Sequence, residues 1–164
     1  MPKRFLFFVC LLLSLTASTQ TYYIVRHGEK AVVEAGSNMM ANDPPLSDAG
    51  KARAEKLKEL LKTEKIAHIY STNTIRTRTT AEPTSRHYNL TIETYGPRPD
   101  SGFINKVKGL NQNVLIVGHS NTVDDIVNML LGEAKLSDLP DAEYDNLFVV
   151  TIKNGTATLE RRKF

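Results

Sequence analysis

The chain has 164 residues, 41% of them hydrophobic and 24% charged, with a formal net charge of +3 and one cysteine. That length supports one domain with a real core, and the composition excludes a disordered, collagen-like or coiled-coil chain. The charge falls to +1 once Lys3 and Arg4 are set aside, which argues against a nucleic-acid-binding footprint.

Lys3 and Arg4 precede a run from Phe5 to Leu15 that is apolar apart from Ser14, and Thr16-Ala17-Ser18-Thr19-Gln20 follow. This is the layout of a secretory signal peptide, and the run is too short to favour a membrane span. Residues 1–20 are expected to be a signal peptide cut between Ala17 and Gln20, with 21–164 as one exported domain, periplasmic or secreted. A buried first helix or an uncleaved anchor is the competing reading. Phe8-Val9 ahead of the lone Cys10 matches a lipid-attachment site poorly. A mature chain without Cys10 has neither disulfides nor thiol chemistry.

Tyr22 to Arg26 reads as a strand buried on both faces, because its apolar residues run without alternation. A long polar loop follows from Gly28 to about Pro45, and loops of that length are usually functional. Ser47 and Asp48 open a helix as N-cap and first-turn acid, with Ala54, Leu57, Leu60 and Leu61 facing the core. The Lys51 to Lys65 charges are its solvated face. Ile66 to Tyr70 is a second strand, and Ser71 to about His87 a helix that Pro83 should kink or shorten. Leu90 to Tyr95 is a short strand, Gly96-Pro97-Arg98-Pro99 a turn, and Ser101 to Leu110 a helix. Val114 to Val117 is the best central strand. Asn121 to Leu131 is a helix stopped by Gly132. Leu147 to Lys153 and Thr156 to Arg162 flank Asn154-Gly155 in a hairpin. On that last strand Arg161-Arg162-Lys163 reads as a solvated edge.

Strands alternating with helices imply an α/β fold: a mostly parallel central sheet flanked by helices on both faces, with a C-terminal antiparallel hairpin at the edge. In such sheets ligands bind beyond the carboxyl ends of the strands. Arg26-His27 and His119 follow two strand ends, and Arg76 lies just after a third. A neutral imidazole there can attack phosphorus, provided its other nitrogen donates to a backbone carbonyl. Arg26 and Arg76 supply forked donors to phosphoryl oxygens, and His119, at a helix start, steadies the anion.

The segments Ile24-Val25-Arg26-His27-Gly28-Glu29, Leu46-Ser47-Asp48-Ala49-Gly50, Ser71 through Glu82, and Val117-Gly118-His119-Ser120 resemble, in order and spacing, the motifs of the histidine phosphatase superfamily, in its small, phosphoglycerate-mutase-like branch. The resemblance spans nearly all of the chain after the leader. It implies that His27 is the phosphorylated nucleophile, that Arg26, Arg76 and His119 complete the phosphate pocket, and that Arg78 is supportive. The expected activity is metal-independent phosphomonoester hydrolysis of a small phosphorylated substrate through a covalent phosphohistidine, of the histidine acid-phosphatase type. No cofactor, no nucleic acid partner and no stable membrane insertion after processing are expected. A metal site is not expected either, since no close ligand pair appears. Mutase activity is less expected than hydrolysis, because the large insertions of dedicated mutases are missing. His68 and His87 match no motif and are assigned to the surface or the scaffold.

The proton donor to the leaving group stays open among Glu93, Asp100, Asp124 and Glu29. No family acid motif is recognisable in Glu93-Thr94-Tyr95-Gly96-Pro97. Two other readings follow from that gap: a non-catalytic module binding a phosphorylated or sulfated ligand, and a phosphatase acting on phosphohistidine in proteins.

Overall fold

The computed structural model describes residues 19–32 and 42–164. Residues 1–18, which hold most of the expected signal peptide, and residues 33–41 of the loop after Gly28 lie outside the described residues. The elements are β1 (Thr19–Arg26), α1 (Asp48–Leu61), β2 (Ile66–Thr72), α2 (Ile75–Tyr88), β3 (Ile92–Tyr95), α3 (Ser101–Gly109), β4 (Asn113–Gly118), α4 (Val123–Leu131), β5 (Asn146–Lys153) and β6 (Thr156–Lys163).

They build one six-stranded sheet in the order β3-β2-β4-β1-β5-β6. The β1–β4, β2–β4 and β2–β3 pairs are parallel. The β1–β5 and β5–β6 pairs are antiparallel, so the closing hairpin extends the sheet beside β1. Asn154 and Gly155 turn that hairpin with φ of 52° and 79°, the left-handed pair that its tight turn requires.

The central strands alternate between two covered faces. Tyr22 and Ile24 of β1 and Val114 and Ile116 of β4 pack with Ile104 and Val107 of α3 and with Val123, Ile126 and Leu130 of α4. Tyr23, Val25, Leu115 and Val117 point the other way, to Leu57 and Leu61 of α1 and Ala81 of α2. This two-sided burial is why the strands read as unbroken apolar runs.

Several boundaries differ from the sequence reading. β1 starts at Thr19, ahead of Tyr22, and the buried Gln20 donates from Nε2 to Val107 O at 2.7 Å. β2 runs on to Thr72, so α2 begins only at Ile75, behind the Thr74 N-cap. Pro83 does not end α2, which continues to Tyr88. Thr80, Ala81 and Thr84 are buried on the sheet side, and that packing outweighs the donor that proline lacks. Leu60 is 39% exposed rather than core. The α1 stripe of Gly50, Ala54, Leu57 and Leu61 is buried, and Leu60 falls about 60° to its side at 100° per residue.

Candidate active site

Three parallel strands end level with one another. Arg26 of β1 is in register with Gly118 of β4, and Ser71 of β2 with Val117. Adjacent strands lie about 4.8 Å apart, so residues just beyond them emerge side by side. His27 follows β1, His119 follows β4, and Thr72 closes β2.

The glycines of separate motifs permit the close approach. A Cβ on Gly28 would lie 2.8 Å from Gly50 O, so the loop after β1 and the first turn of α1 meet backbone to backbone. A Cβ on Gly118 would lie 2.8 Å from Tyr95 Oη and 3.1 Å from Thr122 Oγ1. His27 N donates to Gly118 O at 3.0 Å, and Gly28 N to Thr80 Oγ1 at 3.0 Å. Thr80 Oγ1 in turn donates to Arg76 O at 2.8 Å, which ties α2 to the loop carrying His27.

The His27 ring is 3% exposed, with Nδ1 2.7 Å from Gly28 O. A carbonyl only accepts, so Nδ1 carries the proton and the lone pair sits on Nε2. Burial pushes the His27 pKa down to about 3; the Gly28 bond opposes this, while Arg76, His119 and Arg26 reinforce it. The ring is therefore neutral near neutral pH, with an unprotonated Nε2.

The His119 ring stands 5.4 Å from that of His27, at 68° to it. Its Nδ1 is 3.4 Å from Arg76 Nη2 and its Nε2 is 2.8 Å from Thr72 Oγ1. A guanidinium only donates, so Nδ1 accepts and Nε2 carries the proton toward Thr72. Burial pushes the His119 pKa down to about 4, helped by Arg76 and Arg26 and opposed by Asp43.

Arg26, 3% exposed, is held from behind. Its Nη1 donates to Pro140 O, Asp141 O and Glu143 O at 3.1, 3.0 and 3.2 Å, and its guanidinium carbon lies 4.1 Å from the centre of the Tyr144 ring. Arg76 Nη1 donates to Asp43 Oδ1 at 3.0 Å. The Nε atoms of Arg26 and Arg76 are both buried without a protein partner. Each such orphan costs about 1–3 kcal/mol, a cost that any acceptor reaching it would relieve.

A cleft of about 400 Å³ opens here, lined by Arg26, His27, Lys30, Thr74, Arg76, Pro97, His119, Ser120, Asn121 and Asp141. The four side chains expected to meet around one phosphate thus share one cleft. Arg78 is exposed on α2 and does not line it.

The four carboxylates proposed as proton donors do not line the cleft. Glu29 accepts from Arg53 Nε at 3.0 Å on both oxygens, and that bond holds its pKa below the usual value. Glu93 pairs with Lys106 at 3.1 Å. Asp100 caps α3, accepting from Phe103 N at 2.8 Å. Asp124 is buried in α4, its Oδ1 unpartnered and its pKa raised by burial. Asp141 does line the cleft, with a fully exposed side chain 3.8 Å from Arg26 Nη2.

Thr72, Thr80, Asp43, Lys30 and the Pro140–Tyr144 segment had no assigned role in the sequence reading. Thr72 and Thr80 lie inside the Ser71–Glu82 motif, where their neutral side chains gave no chemical signal. The segment from Pro140 acts largely through backbone carbonyls, which composition does not reveal. Among the described residues, no group of three or more His, Cys, Asp or Glu is placed to hold a metal ion, and no helix is long and apolar enough to cross a membrane.

Comparison with known proteins agrees with this architecture. Residues 22–96 match the family described as histidine phosphatase superfamily, branch 1. No curated protein sequence matches the chain. Among solved structures, the SixA protein of Agrobacterium tumefaciens superposes with a TM-score of 0.64 at 23% identity, covering 88% of this chain and 98% of that one. A protein histidine phosphatase SixA complexed with tungstate gives 0.62 at 20% identity, over 87% and 96%. The phosphoglycerate mutase of Bacillus anthracis gives 0.62 at 16% identity, over 89% and 93%. At these identities the likenesses establish a shared fold. The family match runs from β1 through β3 with the motifs of Arg26-His27 and Arg76 inside it, so over residues 22–96 the chain is similar to the histidine phosphatase superfamily.

Proposed function

We propose that the protein is a metal-independent phosphohydrolase that cleaves phosphomonoesters through a phosphohistidine at His27. The observation that carries this reading is the His27 ring, which donates from Nδ1 to Gly28 O and so keeps a lone pair on Nε2 in a cleft shared with Arg26, Arg76 and His119. Nε2 attacks phosphorus, the P–N bond forms, and the P–O bond to the leaving group breaks. Arg26 and Arg76 neutralise the equatorial oxygens, and Arg26 is fixed beforehand by Pro140, Asp141 and Glu143. A dianion between the guanidiniums favours protonated His119, which then donates to Thr72 Oγ1 and to the anion. In the second step water attacks phosphorus: a P–O bond forms, the P–N bond to Nε2 breaks, inorganic phosphate leaves, and His27 returns to the neutral imidazole.

The proton donor bears on the substrate. Glu29, Glu93, Asp100 and Asp124 lie outside the cleft, and Asp141 faces Arg26. Among the described residues this placement suits substrates whose leaving groups depart with little protonation: acyl phosphates, phosphoanhydrides or phosphohistidine. The likeness in fold to SixA, a protein histidine phosphatase, makes phosphohistidine in proteins the second reading. The leader 1–20 supports export and counts against that substrate. Thr19 and Gln20 are paired in β1, so a cut ahead of Thr19 leaves the strand whole. Mass spectrometry of the native N-terminus tests export.

Turnover of a chromogenic aryl phosphate is measured with and without a chelator, and labelled phosphate is trapped by acid-free quench. The expected result is chelator-resistant turnover and one base-stable phosphoryl adduct. His27→Ala should lose the adduct and about four orders of magnitude or more in kcat/KM. Turnover that survives in His27→Ala, or that the chelator abolishes, overturns the proposal. Anion binding without any adduct would make the protein a binding module instead.

A further inference from the structure

Arg76 owes its orientation to a residue outside the cleft. Asp43 Oδ1 accepts from Arg76 Nη1 at 3.0 Å, and both Asp43 oxygens accept from Ile75 N, at 3.1 and 2.9 Å. The carboxylate therefore grips the first residue of α2 and the guanidinium of the second together. A guanidinium is planar, so fixing Nη1 also fixes where Nη2 points. Nη2 lies 3.4 Å from His119 Nδ1, inside the cleft.

The backbone presenting Asp43 is itself anchored. Ala31 N donates to Pro45 O and Ser47 N to Glu29 O, each at 2.9 Å, and Lys30 bridges to Leu46. Leu46 is 2% exposed, and Pro44 and Pro45 stiffen the intervening chain. The loop that leaves His27 thus returns with Asp43 at a fixed height against α2. Asp43 does not line the cleft, so it does not occupy the place of a substrate oxyanion.

We propose that Asp43 is a positioning residue of the phosphate site, acting through Arg76 to set the guanidinium against His119 before the anion arrives. Arg26 is held by carbonyls and an aromatic ring; Arg76 is held by one carboxylate. Loss of Asp43 leaves a long, flexible arginine free to turn from the cleft, and the site then binds a tetrahedral oxyanion less well. For its effect on turnover this rests on the phosphohydrolase reading; for anion binding it does not.

The test is a double-mutant cycle of Asp43→Ala and Arg76→Ala, with Asp43→Asn as the conservative variant. Two quantities are read: kcat/KM for an aryl phosphate, and the rise in Tm on adding orthovanadate or inorganic phosphate. Asp43→Ala should lower kcat/KM by about ten- to a hundredfold and shrink the anion-induced rise in Tm, while Asp43→Asn recovers part of both. In the Arg76→Ala background, Asp43→Ala should cost less than about twofold and leave the residual anion response unchanged. Equal losses in both backgrounds would show a merely structural role and overturn the proposal. An anion response that is unchanged or stronger in Asp43→Ala and Asp43→Asn would also overturn it. If the unaltered protein turns nothing over, yet its anion response depends on Asp43 only when Arg76 is present, the phosphohydrolase reading fails and the positioning role stands.

Discussion

The cationic residues at the two ends of this sheet are the same in kind and opposite in use. At the carboxyl edge of β1, β4 and β2, Arg26 is 3% exposed and Arg76 mostly buried, and each keeps an N–H without a protein partner. On β6, Arg161 pairs with Glu143 at 2.8 Å, Arg162 with Glu160 at 2.8 Å and Lys163 with Asp145 at 2.7 Å. All three are at least one third exposed, so water screens these pairs and each contributes little to stability. The pKa directions separate the regions as well. Burial lowers that of Arg26, whereas the Glu160 bond raises that of Arg162. The first region holds buried charge with unspent donors; the second holds surface charge already paired.

That contrast can be broken or sharpened in four ways. The largest effect belongs to the buried pair: Arg76→Ala should lower kcat/KM by about a hundred- to a thousandfold, the scale of a lost oxyanion donor. A steady-state assay with an aryl phosphate checks it, and a loss below tenfold would put Arg76 in the same class as the β6 cations.

Acid should come next. The His27 and His119 pKa values fall to about 3 and about 4 in the folded chain, against an ordinary 6.5. Below 6.5 the unfolded chain binds protons that the folded chain refuses, so stability is intact above that pH. It drains away as pH falls toward 4, with little further loss from these groups below about 3. Thermal unfolding from pH 7 to pH 4 should reveal a loss on the order of a few kcal/mol. The His119→Gln variant should lose less, and Arg162→Ala should follow the unaltered curve.

Tyr144→Leu removes the ring under Arg26 and leaves the three carbonyls in place. A loss of about 1 kcal/mol in transition-state binding, roughly five- to tenfold in kcat/KM, is expected. The smallest effect is that of Arg162→Ala, which should change stability by less than about 0.5–1 kcal/mol and leave kcat/KM within twofold. A chemical denaturation curve and the same kinetic assay check it.

Much of the site was legible because its residues carry chemistry at punctuated places in the chain. His27 and His119 each follow an apolar strand that ends in the next motif, and Arg76 follows the strand that closes at Thr72. Their convergence in one cleft follows from the topology, once β1, β4 and β2 are adjacent and parallel. The carboxylates were not legible in the same way. Glu29 stands two residues from His27, yet its side chain goes to Arg53 on α1. Asp124 lies one turn into the helix after His119, yet it is buried without lining the cleft. Proximity along the chain says nothing of side-chain direction, which packing decides.

By itself, the order of residues determined the periodicity of the strands, the hairpin at Asn154-Gly155, and the four motifs with their glycines. These depend on local sterics and on burial of neighbouring side chains, which travel with the sequence. Only the tertiary structure decided that Gly28 meets Gly50, that the Pro140–Tyr144 segment folds back onto Arg26, and that Asp43 reaches Arg76 from 33 positions away. Each of those contacts joins backbone or charge across a closed loop, and its geometry exists only after the two hydrophobic faces of the sheet have been covered.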